Sequence, residues 1–122
     1  MKQKIEAMND YFSRQIAACG QREQALRADE RKDEAVFERI RANVYDIFRT
    51  TLSAAVRAKG EDAQGVQTFF QQRLKTIPAA WETARQEAER YGNENRALLE
   101  RIKLETAREI ETQFAQTWEA RP

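Results

Sequence analysis

The chain is 122 residues long, carries 21 basic and 20 acidic side chains for a formal net charge of +1, and has no histidine, one cysteine and two prolines. That composition excludes the schemes that need histidine: Ser-His-Asp and Cys-His arrangements, histidine-bearing zinc sites and Glu-x-x-His di-iron bundles. Near-neutrality gives no global field to draw nucleic acid or an anionic membrane, and apolar runs of three or four residues are too short to span a bilayer.

The length suits one domain, 1–122. Hydrophobic residues make up 41% of the chain, but 19 of them are alanines, so the core is expected to be thin, as between packed helices. Apolar residues recur every three or four positions along most of the chain, the signature of amphipathic helices. The predicted fold is all-α, an antiparallel helical bundle of four to five helices, three long and two short, with no sheet.

The first segment runs from about Lys2 to Ala28, with Ile5, Met8, Phe12, Ile16, Cys19 and Leu26 on one face. Gly20 lies inside it and costs the helix about 1 kcal/mol relative to alanine. The second runs from about Arg31 to Ala58, with Phe37, Ile40, Val44, Ile47 or Phe48, Leu52 and Ala55 as its stripe. Gly60 is placed to end it in a left-handed cap, with Arg57 and Lys59 suited to the negative end of the helix dipole.

Between these two segments, Arg27 to Glu34 reads RADERKDE, without glycine or proline. The stretch fits either one helix of over fifty residues or a hairpin turning near Asp29 to Asp33, with either aspartate as the cap of the second helix. The hairpin is favoured: the two halves are close in length, and one long rod would leave both stripes open to solvent.

A third segment begins at Asp62, a plausible N-cap, and carries Val66, Phe69, Phe70, Leu74 and Ile77. Pro78 disfavours helical backbone at Ile77 and suits the first turn of a new helix. The fourth segment, Pro78 to Tyr91, has Trp81, Ala84, Ala88 and Tyr91 on one side, with alanines small enough to let a neighbouring helix come close. Gly92 ends it, and Asn93 or Asn95 can cap the fifth, from about Glu94 to Ala120, where Leu99, Ile102, Thr106, Ile110, Phe114 and Thr117 or Trp118 share a side. Arg96 with Glu100, and Arg101 with Glu105, are spaced to pair on its outer surface.

Candidate chemistry is sparse. Gly65 is followed by valine, so the Gly60–Gly65 stretch is no phosphate-binding loop. Asp29, Glu30, Asp33, Glu34 and Glu38, with Glu105 and Glu109 elsewhere, raise the reading of a magnesium-dependent nucleotide hydrolase. Basic residues interleave with all of them, which favours a solvated charged face. Arg39, Arg41, Arg49, Arg57 and Lys59 make the second segment the most basic, but Glu38 and Asp46 sit among them, which favours solubility over a nucleic-acid footprint. Cys19, among Ile16, Ala17 and Ala18, reads as a small buried apolar residue rather than a reactive thiol.

Within RANVYDIFRT, Asn43, Asp46 and Thr50 stack beside the apolar stripe. They form either the polar edge of a pocket or subunit contact, or an exposed face with an Asp46–Arg49 pair, the second being favoured. Tyr11, Phe48, Tyr91 and Trp118 do not all fit single narrow stripes, and they form the candidate interaction surface, to be weighed against a widened core.

The expectation is therefore a non-catalytic structural or protein-interaction module forming a homodimer. The alternatives are a small regulator binding nucleic acid or a transcription partner, and the magnesium-dependent hydrolase. No cofactor, metal or membrane partner is expected, nucleic acid is disfavoured as a partner, and the opening MKQKIEAMND, which holds no signal-peptide apolar stretch, points to the cytoplasm.

Overall fold

Four helices of nearly equal length form in this order: α1 (Lys2–Ala28), α2 (Lys32–Lys59), α3 (Ala63–Arg90) and α4 (Glu94–Glu119). The computed structural model describes residues 1–119, and among these there is no strand. Each helix is about 40 Å long at 1.5 Å per residue, and three-residue turns fold each back against the one before.

The first turn occurs where the hairpin reading put it. Glu30 takes a positive φ of 58° to reverse the chain. The cap is not an aspartate, however. Arg31 holds the N-cap position without a side-chain bond, and Asp33 and Glu34 lie in the first turn of α2, where their charge complements the helix dipole. The Arg22–Glu38 ion pair, 3.0 Å long, bridges α1 to α2 near this turn.

The second turn falls at the expected residues, although Gly60, with ψ −123°, is not in the left-handed helical cap expected of it. Gly60 ends α2 at φ 60°, and Asp62 caps α3 by accepting a hydrogen bond from the Gly65 backbone amide at 3.0 Å. At the third, Gly92 has φ 72°, and Asn93, not Asn95, accepts from the Arg96 amide at 3.1 Å.

One expectation is overturned. Pro78 does not separate two short helices; it lies inside the 28-residue α3. A proline there removes one backbone hydrogen bond and crowds the preceding turn. Against that cost, Val66, Phe70, Leu74, Ile77, Trp81, Ala84 and Ala88 continue a single stripe across it at steps of three and four. Phe70 is wholly buried, and Ile77 and Trp81 pack against the core. Burying side chains of this size contributes about 1.5–3 kcal/mol each, enough to hold the helix through the proline.

α2 and α4 each pack against all three other helices, whereas α1 and α3 do not meet. The main cluster draws on Met8, Tyr11, Phe12 and Cys19 of α1, Val44 to Ala55 of α2, Val66 to Leu74 of α3 and Ala107 to Trp118 of α4. It therefore fills the end of the molecule away from the Asp29–Arg31 and Tyr91–Asn93 turns. Nearer those turns, burial relies on the small residues Ala35, Ala88 and Ala97, with Ile102.

Candidate functional site

The four aromatics singled out from the sequence are not brought together. Phe48 is completely buried, meeting Phe70 at 6.1 Å and Trp81 at 6.4 Å between ring centroids. Trp118 stacks on Phe114 at 4.7 Å, and Phe114 lies 4.5 Å from Phe70. Tyr11 meets Phe12 and Tyr45 edge-on. All three therefore widen the core of the single chain. Tyr91 alone of the four is open to solvent, 75% exposed at the end of α3.

Buried polar groups are few, and most have partners. Glu38 accepts from Arg22 Nε at 3.0 Å and from Arg41 Nη1 at 2.8 Å, which offsets the cost of taking its charge out of water. Tyr45 donates its hydroxyl to Glu109 Oε2 at 2.8 Å. Burial, then this bond to a carboxylate, pushes the Tyr45 hydroxyl well above the usual phenol range. Burial also raises Tyr11 beside it. Thr106 turns its hydroxyl back to the Ile102 carbonyl at 2.8 Å. Glu100 accepts from Lys103 through Oε1, and its other carboxylate oxygen is buried without a partner.

Cys19 has no exposed surface, and burial raises its thiol, disfavouring the nucleophilic thiolate. The carboxylates considered for magnesium do not converge. Glu34 bonds Arg31, Glu38 bonds two arginines and Glu109 bonds Tyr45. Among the described residues, no three acidic or cysteine side chains form a group that could hold a metal ion.

Surface charge is locally compensated on α2. Arg39 bridges to Glu23 at 3.0 Å, Arg41 to Glu38 at 2.8 Å, and Arg49 to Asp46 at 2.6 Å. The pairs expected within α4 form differently: Arg101 reaches across to Glu89 of α3, and Glu100 pairs with Lys103.

A groove of about 430 Å³ lies between α2 and α3, lined by Thr50, Thr51, Ala54, Phe69, Arg73, Thr76 and Ile77. Arg73 lies over the Phe69 ring at 4.9 Å, covering part of it. Beside this groove Ile47 is 39% exposed, and about two turns of helix beyond Asn43 on the other side so is Val36. Among the described residues, Leu98 on α4 is the remaining large aliphatic side chain exposed to that degree.

Sequence reasoning left Ile47 and Phe48 as alternatives for one core position. The structure sends Phe48 inward and Ile47 outward. The signal that separates them is a second periodicity, Val36, Ile40, Ile47 and Ala54, running a third of a turn away from the core-facing row Tyr45, Phe48, Leu52 and Ala55. No protein-family model matches this chain, and neither a curated protein nor a solved structure matches it.

Proposed function

We propose that this protein is a cytoplasmic, non-catalytic helical module that works by protein–protein contact, as a homodimer. The reading is carried by the exposure of Val36 and Ile47 on one side of α2, although the helices have already closed a core around Phe12, Phe48, Phe70 and Phe114. Aliphatic side chains held at a surface in register along a rigid helix gain by being covered, at about 25 cal/mol per Å² of apolar area removed from water. The single cysteine, buried and unpaired, accords with a reducing compartment.

Size-exclusion chromatography with light scattering tests the proposal. A species of twice the 14.2 kDa chain mass is expected at high micromolar concentration. A strictly monomeric species there overturns it. Among the described residues no helix is long and apolar enough to cross a membrane.

A further inference from the structure

We infer that the second copy docks on α2 through the stripe Val36, Ile40, Asn43, Ile47, Thr50 and Ala54, with the two α2 helices antiparallel about a two-fold axis at Asn43. The inference rests on the homodimer reading above and specifies its surface and register.

The stripe steps by four, three, four, three and four residues, the spacing of a helix–helix seam. It is distinct from the core-facing side of α2. Val36 and Ile47 are each 39% exposed, Asn43 and Thr50 are exposed, and Ile40 and Ala54 are half-buried. The small groups Thr50 and Ala54 border the α2–α3 groove, so a second helix can approach closely there.

The charges flanking the stripe identify the occupant as another copy of the chain. Arg39 and Asp46 lie one heptad apart on the same edge, almost equidistant from Asn43. They are 62% and 56% exposed at the side chain, so each has room for a partner beyond Glu23 and Arg49. A two-fold axis at Asn43 sets Arg39 of each copy against Asp46 of the other. It also sets Ile40 against Ile47, Val36 against Thr50, and the two Asn43 amides against one another. This is the self-complementarity an isologous contact requires. A parallel pairing in the same register would set this edge against the opposite edge of the other copy, where Val44 and Thr51 offer no charge to either residue, so the charges also select the direction. The polar Asn43 at the centre suits a register-setting role, since a lone asparagine in an apolar seam disfavours slipped alignments.

The stripe spans about 27 Å of helix at 1.5 Å per residue. With the adjoining α3 edge it offers an interface at the small end of specific contacts, so dissociation is expected in the micromolar range or weaker.

The test is sedimentation equilibrium of the full chain, wild type beside R39E, D46K and the combined R39E/D46K variant, with dichroism confirming that each folds. Wild type is expected to dimerise, each single variant to weaken the dimer about ten-fold or more, and the combined variant to recover most of the wild-type affinity. The intrachain pairs with Glu23 and Arg49 are lost in the combined variant too, so recovery reports the contact between copies. If wild type and all variants dimerise alike, this surface is wrong while the homodimer reading stands. Single variants that weaken the dimer without recovery in combination overturn the antiparallel register. A monomeric wild type overturns both.

Discussion

At the scale of single residues, Tyr45 shows how helix phase decides chemistry. In the sequence it flanks a polar edge formed by Asn43, Asp46 and Thr50. In the structure it is 3% exposed, and its hydroxyl is committed to Glu109 on α4. Removing the hydroxyl in Y45F should cost about 0.5–1.5 kcal/mol at neutral pH, read as a lower urea midpoint. The pH dependence has a definite sign. The folded state holds the neutral phenol, and the unfolded chain releases the proton near pH 10. The stabilisation is therefore present below about pH 10 and is lost as pH rises beyond it. Wild type should lose more stability than Y45F between about pH 9 and 11; equal losses would show that Tyr45 titrates normally. The inward placement of Phe48 over Ile47 has the same origin. Both fit a three-to-four spacing, and only the position of the neighbouring helices selects one. Cys19 was legible because its immediate neighbours are apolar and no basic cluster surrounds it.

At the scale of helices, local signals gave most boundaries, and tertiary packing overrode one. Asp62, Gly60, Gly92 and Asn93 act where their backbone chemistry places them. Pro78 does not, because its cost is local and fixed whereas the stripe continuing through it adds burial at every turn. Replacing it by alanine restores the missing amide and removes the ring crowding. P78A should therefore raise stability by about 1–3 kcal/mol in a thermal or urea melt. A loss instead would mean that the proline ring itself helps to seat Trp81 against Phe48. The absence of an aspartate cap on α2 has a related cause. With Glu30 in left-handed backbone, the reversal is complete by Arg31, which leaves Asp33 inside the first turn.

At the scale of the whole molecule, the sequence discloses helices and stripes but not which pairs meet. Nothing in the stripes of α2 and α4 announces that these two pack closely while α1 and α3 stay apart. That arrangement puts the large aromatics at one end and alanines at the other. Hydrogen exchange should follow it, with the slowest amides in Val44–Leu52, Phe70–Leu74 and Ala107–Phe114 and faster ones approaching the Asp29–Arg31 and Tyr91–Asn93 turns. Uniform protection along each helix would contradict this distribution. The candidate interaction surface was less legible than the fold. Aromatic surplus pointed to Tyr11, Phe48 and Trp118, but large rings are what a thin alanine-rich core draws inward. The exposed aliphatic row on α2 is marked only by spacing, which reads as contact surface once the inner row is known to be occupied.

The first turn of α1 and the last described turn of α4 lie side by side, with Lys4 Nζ donating to the Trp118 carbonyl. Helix ends are where fraying begins, and here the frayable turns roof the aromatic cluster of the core. Substitutions or labels that fray either turn would loosen the centre of the protein rather than its margin. Labels and tethers belong instead on the Asp29–Arg31 reversal, at the opposite pole.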